Sequence, residues 1–321
     1  MYGTVFTPSQ GLTDDDLASR RTYVGGSDIA AVMGLSKWAG PRHVALQKRG
    51  LVPPMVPNDR MALGIAMEPA IVSAYAATKG RKVWRPGLRR LEGTTVIATR
   101  VDGLSGDLEA EVPDRCVEVK NVHYSQADYW GAEGSNIIPI DYLCQALWHC
   151  GIWGLPVCDV VACVGGEPRY FTVDADPETF GRMVDRAQEF WERYVDGDEE
   201  PPVDATASTT DDLKRIAWRD DAMLAATAEH DQLAMDLLAL RDSLKTMETA
   251  KDLLENQLRE AIGENSGIRG STYAATWRPA KGRMVVDWQS IAEAYSPSAD
   301  QVTKHTRATA GSRRLVLRRS K

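Results

Sequence analysis

The chain of 321 residues has five cysteines, Cys116, Cys144, Cys150, Cys158 and Cys163, and no C-x-x-C pair among them. That odd, scattered set excludes a zinc or iron–sulfur framework and predicts reduced thiols in a cytosolic protein. The opening MYGTVFTPSQGLTDDD lacks the basic segment and apolar core of a signal peptide. No run approaches the roughly 20 apolar residues that a membrane span requires. Internal repeats and low-complexity tracts are also missing. A net charge of -7 excludes a protein that coats nucleic acid by bulk charge, although it leaves room for a local basic groove. Acidic residues disappear after Asp300, where Lys304, Arg307, Arg313, Arg314, Arg318, Arg319 and Lys321 crowd the C-terminus.

What remains is ordinary globular material, 43% hydrophobic and 26% charged, long enough for one large domain or two smaller ones. GGSDIAAVMG begins a helix, with Ser27 expected as its N-cap and the free N–H groups aimed at whatever precedes it. MALGIAMEPAIVSAYAATKG is a second helix that places Glu68 on or beside its inward face and ends at Gly80. TTVIATRVDGL and RCVEVKNV are β-prone runs that resemble two arms of a hairpin. PIDYLCQALWHCGIWG reads as a helix, VCDVVACVGG with RYFTVDA as a strand pair, and PETFGRMVDRAQEFWERYVDG as an amphipathic helix. DEEPPVDATASTT then reads as a linker.

Beyond the linker, Leu233, Leu237, Leu240, Leu244, Met247, Leu254 and Leu258 recur at spacings of three and four, with Lys251 interrupting the stripe. This predicts a long amphipathic helix or a helical hairpin. TYAATWRP and GRMVVDW suggest a β-hairpin around AKG, followed by the basic tail. The domain expectation is 1–205, 206–265 and 266–321.

Taken singly, the charged features have plain explanations. Asp102-Gly103 can make a tight turn, and Glu118 and Lys120, two apart on a strand, can form a solvated pair on one face. Together they place two carboxylates and a lysine at one strand edge, with Val117 and Val119 pointing to the opposite face. Two carboxylates and a backbone carbonyl suit a hard octahedral cation, and the lysine can orient water and offset charge on a phosphate.

The series VGGSDIAAVMGLSKWAGP, LGIAMEP, VDG, VEVK and QALWHCGIWG resembles, in order and spacing, the YqaJ-type viral recombinases, relatives of phage lambda exonuclease within the PD-(D/E)XK nucleases. The resemblance covers roughly residues 20 to 200, with Thr-Arg-Val where Ser-Pro commonly precedes the aspartate. It implies an α/β fold with a central mixed β-sheet flanked by helices, to which this chain adds its C-terminal helix or helical hairpin and β-hairpin. It implies Asp102, Glu118 and the Val119 carbonyl as metal ligands, Glu68 approaching directly or through water, and Lys120 as the catalytic lysine. Gln145 is matched to the family's glutamine helix, with His149 where tyrosine is usual. Ser27 and Arg20 match the serine and arginine that hold a terminal 5′-phosphate, although Ser27 alone is equally an N-cap and Arg21 competes with Arg20.

The implied activity is a Mg2+-dependent exonuclease, with Mn2+ as a substitute, running 5′ to 3′ on linear double-stranded DNA ends and leaving 3′ single strands. Double-stranded DNA ends, a single-strand annealing protein and further copies of the chain are the implied partners, and the host cytoplasm is the implied location if the protein is phage-encoded. A PD-(D/E)XK endonuclease, or a non-catalytic DNA-binding or assembly protein, is the alternative.

Overall fold

The computed structural model describes residues 14–53, 58–215, 223–280, 282, 285–307 and 317. The chain divides into two compact units, residues 1–216 and 217–321.

The first unit begins with α1 (Asp14–Arg20), α2 (Gly26–Val32), α3 (Pro41–Lys48) and α4 (Asp59–Lys79). Strands β1 (Arg81–Trp84), β2 (Arg89–Arg90), β3 (Ala98–Thr99), β4 (Gly103–Asp107) and β5 (Arg115–Val122) follow. A 3-10 turn at Tyr124–Tyr129 leads into α5 (Ile140–Trp153), β6 (Val157–Val164), β7 (Glu167–Asp174), α6 (Pro177–Tyr194) and α7 (Ala207–Arg215). The strands form a mixed five-stranded sheet in the order β1-β4-β5-β6-β7. Only β5 and β6 run parallel, and α5 makes the crossover between them.

Local chemistry sets the helix limits. Asn58 accepts a hydrogen bond from the Met61 amide at 3.0 Å to start α4, and Gly80 closes it in the left-handed conformation that an L side chain resists. Asp176 caps α6 by accepting from the Thr179 amide at 3.0 Å, and the apolar stripe from Met183 to Tyr194 is buried. By length and apolarity α4 could cross a membrane, which corrects the expectation that no segment comes near that limit. Here its Ile71, Val72 and Tyr75 are buried with Val117, Val119, Val161 and Cys163 on one sheet face.

The opposite face carries the larger core, in which Cys116, Cys158, Val160 and Ala162 lie under α5, α2 and α6. Val117 and Val119 do point into a core, but Glu118 and Lys120 do not emerge on an open face. Both sides of β5 are covered, as the nearly unbroken apolar run of its neighbour β6 reflects. All five cysteines are free thiols and buried in this unit.

Several local expectations are corrected. The run TTVIATRVDGL is not one hairpin arm: Ala98–Thr99 pair with β2, whereas Gly103 onward pairs with β5. The break falls at Arg100–Asp102. Ser27 is not the N-cap of α2; Gly25 is, and the Asp28 carboxylate accepts the Gly25 amide at 2.9 Å. Residues within the expected linker form α7, which packs on α3 through an ion pair between His43 and the buried Asp212 at 2.6 Å.

The second unit holds α8 (Ala228–Ile262), β8 (Gly267–Arg269), β9 (Ala274–Thr276), α9 (Trp288–Tyr295) and α10 (Ala299–His305). The stripe is thus one helix of 35 residues. The expected hairpin is displaced: Ala274–Thr276 pair backward with Gly267–Arg269 around residues 270–273. Met284 of the expected second arm lies outside the described residues, as do Arg313, Arg314, Arg318, Arg319 and Lys321 of the basic tail.

Candidate active site

The register between β4 and β5 creates the site. Gly103 pairs with Val117, and the pairing stops there, so β5 from Glu118 onward has β6 on one side and no strand on the other. Asp102, the residue just before β4, fills the opening. Its Oδ2 accepts the Val119 amide at 2.8 Å, in place of a strand carbonyl. The carbonyl of a strand residue points to the same side as its own N–H, so the Val119 carbonyl is directed into the same gap.

Glu118 is only 2% exposed, and both of its carboxylate oxygens have polar partners. The Lys120 ammonium donates to Oε1, the Gln145 amide donates to the same oxygen at 2.8 Å, and His149 Nε2 meets Oε2 at 3.0 Å. Lys120 Nζ also donates to Gln145 Oε1 at 3.0 Å and sits 4.8 Å from the centre of the Tyr142 ring. Tyr142, Gln145 and His149 come from α5 at spacings of three and four, hence from one helical face. Two hydrogen bonds tie this helix to β3, Trp148 Nε1 to the Ala98 carbonyl at 3.0 Å and His149 Nδ1 with Thr99 Oγ1 at 2.5 Å.

Charge in the cluster is unequally compensated. Burial pushes the Glu118 carboxyl up, but Lys120 and His149 outweigh it and hold it down at about 2. Asp102 moves the other way, well above the usual carboxylate range, through burial and then the repulsion of Glu118 and Glu68. Glu68 on α4 is also raised, by burial and by Glu118, despite its ion pair with Arg85. Burial would lower the Lys120 ammonium, but Glu118 and Asp102 keep it raised and therefore charged.

Among the described residues no group of three His, Cys, Asp or Glu side chains is drawn close enough to cage a metal. The donor chemistry nevertheless fits a hard divalent cation. Two carboxylates and one carbonyl are all-oxygen ligands of the kind Mg2+ takes while keeping several waters. A cation here would also relieve the repulsion that raises Asp102 and Glu68.

The structure thus gathers Asp102, Glu118, Val119, Lys120 and Gln145, with Glu68 close enough to sense Glu118. Ser27 and Arg20 stand apart from this group. Ser27 is exposed on the first turn of α2, next to Gly26, which packs on the site. A Cβ at Gly26 would lie 2.7 Å from His149 Cε1 and 3.1 Å from Gln145 Cγ, so only glycine lets α2 approach. Arg20 is exposed at the end of α1, and its carbonyl accepts from Lys48 at 2.8 Å. The sequence left His149 in doubt, marked Gly26 only as part of a helix N-terminus suited to an anion, and gave no sign of Thr99 or Tyr142. The spacing of four from Gln145 was the signal for His149.

A mixed sheet covered by helices, with an aspartate at one strand start and Glu-x-Lys on its neighbour, is the arrangement that the resemblance to the PD-(D/E)XK nucleases implies. Residues 17–154 match the model of the YqaJ-like viral recombinase domain. The matched span contains every residue of the site. The uncharacterised protein YqaJ of Bacillus subtilis (strain 168) is 24% identical over 302 residues, 91% of each chain. Among solved structures, the alkaline exonuclease LHK-Exo of Laribacter hongkongensis is 20% identical, with a TM-score of 0.45 over 57% of this chain and 92% of that chain. A phage-related exonuclease of Haemophilus somnus 129PT is 12% identical, with a TM-score of 0.41 over 54% of this chain and 94% of that one.

Proposed function

We propose that the chain is a divalent-metal-dependent deoxyribonuclease that shortens linear double-stranded DNA from its ends, 5′ to 3′. The observation that carries this reading is the gap in the sheet, where Asp102, the Val119 carbonyl, Glu118 and Lys120 converge. Asp102, Glu118 and the Val119 carbonyl would hold Mg2+ or Mn2+, with Glu68 approaching from α4. When bound, the cation supplies Lewis acidity to activate water and steady the leaving 3′-oxygen.

The protein's own groups do the rest. Lys120, kept charged, orients the attacking water and offsets charge on the scissile phosphate. Gln145 and His149 fix the Glu118 rotamer, so the carboxylate needs no reorganisation when substrate arrives. Ser27 and Arg20 take the terminal 5′-phosphate, a role supported by the way Gly26 seats α2 against His149. A phosphate anchor beside the cutting centre favours stepwise removal of nucleotides and leaves a 3′ strand for a single-strand annealing partner in the cytoplasm, that of the host if the protein is phage-encoded. The nuclease occupies the first unit, residues 1–216 with α7 included, and the segments beyond it serve assembly and DNA retention.

The test is a gel assay on linear duplexes carrying 5′-phosphate or 5′-hydroxyl, with Mg2+ or with EDTA. Degradation that requires the metal and runs faster from the phosphorylated end is the expected result. Equal degradation in EDTA would sink the metal assignment, and efficient cutting of closed circles would replace the exonuclease with an endonuclease. If neither linear nor circular DNA is cut, the assembly-protein alternative gains.

A further inference from the structure

The Lys120 ammonium carries three N–H donors. Two are taken, by Glu118 Oε1 and by Gln145 Oε1 at 3.0 Å, and among the described residues the third has no oxygen or nitrogen acceptor. What lies next to Nζ instead is the Tyr142 ring, its centre 4.8 Å away. That distance is well inside the range over which the negative face of an aromatic ring attracts a cation. Lys120 is half-buried, so water screens the attraction only in part.

The ring itself is braced. Tyr142 stacks on Trp130 with ring centres 5.6 Å apart and planes 28° apart, and Trp130, which is buried, packs in turn on buried Phe171 at 5.0 Å. Tyr142 leaves α5 three residues before Gln145, hence on the same helical face. One helix thus presents the carboxamide and the ring that bracket Lys120, and the histidine that meets Glu118.

We propose that Tyr142 is a positioning residue for Lys120. Its ring holds the ammonium beside the cutting centre through charge alone and offers no lone pair to the third N–H. A carboxylate or carbonyl in the same place would anchor the lysine equally well, but it would also occupy that donor. With a ring there, the donor stays available to the attacking water or to a phosphate oxygen. This role rests on the nuclease reading, whereas the contact between ring and ammonium does not.

The contact is tested by a double-mutant cycle of thermal unfolding in EDTA, with Tyr142→Leu, Lys120→Met and the two combined. Tyr142→Leu should lower Tm more in the parent than in the Lys120→Met protein, and equal losses would overturn the inference. The role is tested by kinetics on linear duplex DNA with Mg2+. Tyr142→Phe should keep kcat within about twofold of the parent and Tyr142→Leu should lose about tenfold, with KM little changed. Phenylalanines bearing successively more ring fluorines at position 142 separate charge from packing, and stand in should Tyr142→Leu fail to fold. Fluorine drains the ring face while hardly altering its size, so the logarithm of kcat should fall with each one added. A flat series, or a Tyr142→Phe variant as slow as Tyr142→Leu, would overturn the inference. A parent that cuts no DNA would refute the nuclease reading and the positioning role with it, whereas a melting cycle without coupling refutes the inference alone.

Discussion

Replacing Lys120 with methionine separates the two roles of the buried pair and has a calculable cost. The Glu118 carboxyl falls from an ordinary 4.5 to about 2, with Lys120 the largest cause acting in that direction. At 1.36 kcal/mol per tenfold change in proton affinity, that is roughly 3 kcal/mol of stability at neutral pH. A similar figure, about 3–5 kcal/mol, is typical when one partner of a buried ion pair is removed and the other is left behind. A carboxyl lowered on folding contributes stability above its unfolded value, and loses it as pH drops through the folded one. The deficit of Lys120→Met should therefore be largest at neutral pH and shrink as the pH falls towards 2, because Glu118, buried without its ammonium, protonates in the folded variant before it does in the folded parent. For a unit of this size the shift at pH 7 is roughly 6 to 12 °C in Tm.

The assay is thermal unfolding of parent and variant in EDTA across that pH range. Adding Glu118→Gln to Lys120→Met should recover part of the loss, since the uncompensated charge is gone. A variant as stable as the parent at pH 7, or a deficit that grows on acidification, would refute the argument that Lys120 is what holds Glu118 ionised.

The other perturbations act on neighbouring groups. Asp102→Asn should raise Tm in EDTA while abolishing metal-dependent degradation, because a carboxyl raised on folding costs stability above its unfolded value and asparagine can still accept from the Val119 amide; a lower Tm would contradict the sign. Gly26→Ala should cost about 1–3 kcal/mol by overpacking against His149 and should lower kcat more than it raises KM, as steady-state kinetics and a melt would show together. Deleting residues 303–321 should make the salt dependence of DNA affinity shallower, and an unchanged slope would remove the tail from DNA contact.

The parts of the site legible in the sequence were those whose partners are close along the chain. Glu118 and Lys120 declare themselves by strand period, and α4 and α5 by their apolar faces and terminal glycines. The sequence misled where a single β-prone run was divided between two sheets. Nothing in TTVIATRVDGL marks Arg100–Asp102 as the break, because that break is fixed by β4 pairing with β1 and β5. Helix α7 was unreadable for a different reason. It docks through Asp212 and His43, a polar contact with no hydrophobic period. His149 became meaningful only when Thr99 and Gly26, 50 and 123 positions away, closed around it.

The opening between β4 and β5 also limits how this protein can be stabilised. Regularising a sheet, by adding one more cross-strand pair, is a standard way to make a fold more robust. Here the next pair would enlist the amide and carbonyl of Val119 and push Asp102 out of the gap. The least regular spot in the sheet is thus the one that redesign must leave alone, and gains in robustness have to come from the covered faces or from the helices.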